Sequence, residues 1–167
     1  MLTSQWKQDM ALGVPAIDAA HEALFDELAR LERLADPQFS EGFRELIAVV
    51  ERDFREEEGL MEDIGFPSLA HHREQHARVL SGLHHAWAAV DEGDVAQGRH
   101  ALTLLPQWLL FHQATMDLAL AAALEMAQRH SNCCLTVSAR SPVPASPPGN
   151  GPGICLRHRT SCNTRAG

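Results

Sequence analysis

Between residues 17 and 128 the apolar side chains return at intervals of three and four, the period of a helix with one buried face. Ile17, Leu24, Leu28, Leu31 and Leu34 trace a first helix. The Asp36-Pro37 pair is expected to close it, because proline disfavours helix in the residue before it. Ser40 is placed to cap a second helix carried by Phe43, Leu46, Ile47, Val50, Phe54 and Met61. GFPS at 65–68 supplies a stop, a turn and a new N-cap. A third helix follows over about 69–90 and ends at DEGD. The fourth runs from Val95 to about Gln128, and Pro106 inside it predicts a kink or a break. Long helices joined by short turns predict an all-α fold, an antiparallel up-down-up-down four-helix bundle.

Several polar residues interrupt the apolar faces. His21 precedes Leu24 by three residues and Leu28 by seven, so it shares their stripe. Glu57 lies three after Phe54 and four before Met61, again on the inward side. His72 and His76 are one turn apart on the third helix, and His112 and Asp117 sit within the apolar run WLLFHQATMDLAL. Each has an ordinary explanation when taken alone. A histidine on an apolar face is commonly a hydrogen-bonded core residue, and Glu57 reads as a solvated acid like Glu56 and Glu58 beside it. Asp117 follows His112 by five residues, about 140° around a regular helix, so helix geometry does not bring the pair together. Co-occurrence changes the weighing. All four helices supply an inward polar group, and no lysine or arginine occupies a matching position. Burying the two carboxylates unpaired would cost several kcal/mol each. A pair of metal ions bridged by carboxylates is the economical source of positive charge. His71, His84, His85, His100 and His130 are assigned to the surface or to helix ends, and Trp87 and Trp108 to the core.

Composition narrows the setting. A chain of 167 residues, 45 % hydrophobic, fits one domain with a single core. Its net charge of −8, with no basic stripe, argues against nucleic acid. No apolar run is long enough to span a membrane, and the N-terminus lacks the apolar core of a signal peptide, so a cytoplasmic protein is expected. Charge is divided unevenly: residues 1–130 hold all 22 acidic residues and 10 of the 14 basic ones. Residues 131–167 hold four arginines, five of the nine prolines and all four cysteines, and are expected to form a disordered tail outside the 1–130 bundle. Cys133, Cys134, Cys155 and Cys162, with His158, do not match the usual zinc spacings and read as free thiols.

With these residues in view, 1–130 resembles a bacterial hemerythrin domain. Trp6 and IDAAHEALF look like that family's opening signature, DFREEEGLMEDIGFPSLAHHREQH is similar to its middle motif, and WLLFHQATMD to its closing one. The resemblance implies a non-haem centre of two iron ions joined by an oxo or hydroxo bridge. His72, His76 and His112 would hold one iron and His21 the second, with Glu57 and Asp117 bridging both. It implies O2 as the partner, met at the second iron, with Leu109 helping to form a dry pocket. The implied role is O2 carriage, storage or sensing rather than enzymatic turnover, and protein partners remain unassigned. Asp53 departs from the family, which places a second-iron histidine there. Three readings of Asp53 stay open: an iron ligand, a group hydrogen-bonded outside the ligands, or the mark of a lost second site. The added carboxylate makes a di-iron oxidase or peroxidase the alternative, and a metal-poor bundle working through its tail a third.

Overall fold

The computed structural model describes residues 6–138, with side chains to residue 130. A single 3-10 turn at Gln8–Met10 leads into α1 (Pro15–Glu32), α2 (Asp36–Asp63), α3 (Leu69–Asp91) and α4 (Val95–His112). A π turn at Gln113–Asp117 joins α4 to α5 (Leu118–Ser138). Consecutive helices pack side by side and α1 closes the ring against α4, giving the expected four-helix bundle with α4, the π turn and α5 as its fourth rod.

Three local expectations are corrected. Asp36-Pro37 opens α2 instead of ending α1, which has already stopped at Glu32. Proline is suited to a first helical turn, where its missing N–H removes no hydrogen bond. Ser40 therefore lies inside α2, whose cap position is Ala35. Nor does Pro106 break the fourth rod, since α4 runs through it and the irregularity falls in the π turn. GFPS behaves as expected: Gly65 takes the left-handed φ of +62° and Ser68 precedes α3. The last helix continues to Ser138, past residue 130, so Cys133 and Cys134 lie on its backbone. The remaining residues of the expected tail, with Cys155, His158 and Cys162, lie outside the described residues.

Burial divides the interior into two apolar clusters. The larger is built on Leu24, Leu28, Phe43, Leu46, Phe54, Leu83 and Leu109, the smaller on Ile17, Met61, Leu120 and Leu124. Within the larger cluster, α4 packs tightly against Phe39 and Val90. A Cβ on Gly98 would stand 2.6 Å from Val90 Cγ2 and 2.8 Å from Phe39 Cε1, so only glycine lets α4 settle there. Phe39 is fully buried, stacks on Phe43 at 5.6 Å and lies 4.4 Å under the Arg99 guanidinium. Arg99 also donates to Leu34 O and Asp36 Oδ1, both at 2.7 Å, fastening α4 to the α1–α2 corner. Phe39→Ala is expected to lower unfolding free energy by about 3–5 kcal/mol, the range for emptying a buried aromatic site, read from urea denaturation.

Candidate metal centre

The gap between the two clusters is filled by polar residues, and each helix crosses it in the same way. On α1 the order is Ile17, His21, Leu24; on α2 it is Phe54, Glu57, Met61. The fourth rod runs Leu109, His112, Asp117, Leu120. His72 and His76 enter from α3, one turn apart. Glu57, His72, His76, His112 and Asp117 are all buried, and no lysine or arginine is buried among the described residues.

The side chains converge through their metal-binding atoms. Nε2 of His112 lies 2.9 Å from Nε2 of His72 and 3.2 Å from Nε2 of His76. Three neutral imidazoles that turn the same nitrogen to one point cannot each find a donor there. A cation resolves the conflict by accepting all three lone pairs. Glu57 Oε1 approaches His72 Nε2 at 3.1 Å, while Asp117 Oδ1 lies 3.0 Å from His112 Nε2 and 3.3 Å from His72 Nε2. Asp117 Oδ2 lies 3.3 Å from His21 Nε2. Despite these distances, Glu57 Oε1 and both Asp117 oxygens form no oriented hydrogen bond. Buried carboxylate oxygens in that state fit a metal ion better than a proton. Two overlapping groups have donor atoms within 4.8 Å of one another: Glu57 with His72, His76 and His112, and His21 with Glu57 and Asp117.

Asp117 reaches this point only through the π turn. The i→i+5 register of Gln113–Asp117 accommodates one more residue than an α turn, so residues five apart come to share a face. The extra residue supplies the meeting of His112 and Asp117 that regular helix geometry denied. Gln113, also buried, donates to Met10 O and ties the N-terminal segment to the turn.

Groups outside the converging set hold the rings. His76 Nδ1 is 3.0 Å from Glu58 Oε1, and Arg73 Nε donates to Glu58 Oε2 at 2.9 Å. With its Nδ1–H given to Glu58, His76 turns an Nε2 lone pair inward. Glu58 is thus not the solvated acid that sequence suggested, whereas Glu56 is exposed as expected. Phe54 stacks on His76 at 3.7 Å, Trp108 stacks on His112 at 4.5 Å, and Trp6 lies 6.0 Å from His21. Trp108 precedes His112 by four residues, a spacing that places both on one face and was legible in the sequence. Glu58 and Phe54 act on the third helix from the second, which no local spacing reports.

Asp53 stands apart. Its carboxylate belongs to neither converging group and accepts a 3.1 Å hydrogen bond from Arg52 Nη2. It borders a cavity of about 40 Å3 that His21, Leu24, Glu57, Leu109 and His112 also line. His71, His84, His85, His100 and His130 are exposed, as expected, with His84 paired to Glu51 at 2.8 Å.

Electrostatics follow burial and crowding. Burial and the neighbouring Asp117 carboxylate push Glu57 up. Burial acts the same way on Asp117, but the imidazoles of His112, His21 and His72 outweigh it and hold that carboxyl below its ordinary value. Burial opposes protonation of His72 too, yet Asp117 and Glu57 raise it to about 9. His76, buried and facing two other imidazoles, falls to about 4. Without a metal, the two carboxylates thus favour the charged form of His72.

Three or more imidazoles and two carboxylates gathered at the centre of four antiparallel helices define a histidine/carboxylate metal-binding bundle. Residues 12–124 match the family model of the hemerythrin HHE cation binding domain. A bacteriohemerythrin of Ralstonia nicotianae (strain ATCC BAA-1114 / GMI1000) is 34 % identical over 113 residues, covering 68 % of this chain and 82 % of the relative. The chain belongs to the hemerythrin family. Membership implies non-haem iron binding, and the His/Glu cluster fits a metal site.

Two outcomes are expected. In the metal-free protein the raised pKa values of His72 and Glu57 contribute stability that is present at low pH and lost as pH rises. His76 acts in the opposite sense, but its effect is complete by about pH 6.5, the unfolded histidine value. Thermal melts followed by circular dichroism should therefore show the metal-free midpoint falling between about pH 6.5 and 9, the His72 window, with the iron-loaded midpoint much flatter. Glu58→Gln should weaken iron affinity by about 10- to 100-fold without unfolding the bundle, measured by chelator competition.

Proposed function

We propose that the protein is a di-iron O2-binding protein that carries, stores or senses O2. His72, His76 and His112 would hold one iron and His21 the other, and Glu57 and Asp117 would serve both. The observation that carries this reading is the cavity of about 40 Å3 on the His21 side. A space of that size admits a small molecule, since about 10–15 Å3 of cavity volume is enough to hold a water. Bound iron would supply the electrons that hold dioxygen reversibly. The chain supplies the walls: Leu24, Phe54, Leu60 and Leu109 line the cavity with carbon beside His21 and Glu57. The relative's printed name, bacteriohemerythrin, agrees with this reading. No helix among the described residues is long and apolar enough to cross a membrane. A cytoplasmic site of action, no nucleic-acid partner and no membrane association belong to the same proposal.

Asp53 favours a second reading, a di-iron oxidase or peroxidase. Burial pushes its carboxyl up against the pull of Arg52, and the residue lines the cavity, which puts a proton-relaying group there. Proton delivery there favours consuming O2 over releasing it. In the O2-binding reading Asp53 acts from the cavity's edge, without binding iron.

Metal analysis should give two irons per chain, and the reduced protein should change its visible spectrum on adding O2 and regain it on removing O2. One iron per chain would end the di-iron reading, and rapid turnover of added peroxide would favour the second. Asp53→His should lengthen the lifetime of the oxygenated form, because it exchanges an acid at the cavity for a neutral nitrogen ligand. An unchanged lifetime would mean that Asp53 has no part in the chemistry.

A further inference from the structure

Away from the centre, α3 and α4 border a much larger space, a groove of about 520 Å3. Val79, Leu83, Ala86, Leu105 and Trp108 line it with apolar surface, and Leu104 stands at its side, 54 % exposed. Among the described residues, Asp94 is the one carboxylate along its walls, and no lysine or arginine lines it. Further along α4, Phe111 is 70 % exposed. A scattered exposed apolar residue is ordinary. Here, however, Phe111 follows Leu104 by seven residues and His100 by eleven, within about 20° of each around the helix. A projecting ring and an apolar groove thus occupy one face of one helix.

Charge identifies what that face can meet. From Ala101 to Leu124 the only ionisable side chains are His112 and Asp117, and both are buried in the metal centre. The rest of residues 1–130 is dense in charge and predominantly acidic, and the whole chain carries a net of −8. Two copies therefore repel over most of their surfaces and least along this neutral strip, whereas a basic partner is drawn to the acidic faces. We propose that the protein self-associates through this face, with α4 antiparallel to its copy across a two-fold axis near Gln107. In that arrangement Phe111 of each copy lies opposite Leu104 of the other and enters its groove. The reciprocal contact is what a two-fold interface requires, and a buried aromatic in a pocket is the usual anchor of such an interface.

Sedimentation equilibrium of the full iron-loaded chain, under reducing conditions that remove cysteine cross-links, tests this. A dimer is expected in the micromolar range. Phe111→Glu should return it to monomer with iron content unchanged. Gln107→Glu, an exchange at an exposed position, sets like charges beside the axis and should weaken association by about tenfold or more. If Phe111→Glu loses iron, Gln107→Glu decides the matter alone. A monomer at every concentration overturns the proposal and leaves the groove to residues 139–167 or to a small apolar molecule. A dimer that survives both substitutions overturns it as well.

Discussion

Two carboxylates, Glu57 and Asp117, lie buried between two apolar clusters with no lysine or arginine buried alongside them. Anions in such a place must be neutralised by protons or by metal ions, because the cost of leaving them bare is comparable to the stability of a whole domain. That requirement explains why the bundle has two cores instead of one. Each helix gives up its apolar stripe for about a turn, at His21, Glu57, His72/His76 and His112/Asp117, then resumes it. The polar layer is surrounded by carbon on both sides, and water cannot relieve its charge.

Holding such a layer requires more than placing ligands. Imidazole rings rotate, and their useful nitrogen must face inward. Here Glu58 fixes His76 through its outer nitrogen, Phe54 and Trp108 lie flat against His76 and His112, and Arg73 holds Glu58 in turn. The π turn brings Asp117 into the layer by giving the fourth rod one residue more than an α-helix would use. Such turns cost hydrogen-bond regularity and recur where a side chain must be re-aimed. Gln113 within it anchors the segment that carries Trp6 toward His21.

The centre is asymmetric, and that asymmetry gives the proposed function its direction. On one side three histidines crowd together. On the other, His21 stands beside a small cavity lined by Leu24, Leu109 and Asp53, the last held by Arg52. A small cavity next to the side of the centre with fewer histidines suits the binding of a small molecule there. Asp53 puts a carboxyl group at that cavity, where the proposed function would place the small molecule.

Much of this was readable from the sequence. Helical periods set the four rods, and inward polar residues on all of them marked the centre, because helix geometry makes residues three and four apart share a face. Motif order marked the family. Other features depended on packing between helices. Asp36-Pro37 fits either a helix end or a helix start, and only the observed end of α1 at Glu32 distinguishes them. Glu58 looked like its solvated neighbour Glu56 until α3 brought His76 and Arg73 to it. His112 and Asp117 stood about 140° apart on a regular helix, and only the tertiary centre, where both are wanted at one point, accounts for a π turn. The sequence by itself determined which residues face inward. The tertiary structure decided which of them meet, because that depends on contacts between rods that no single helical period encodes.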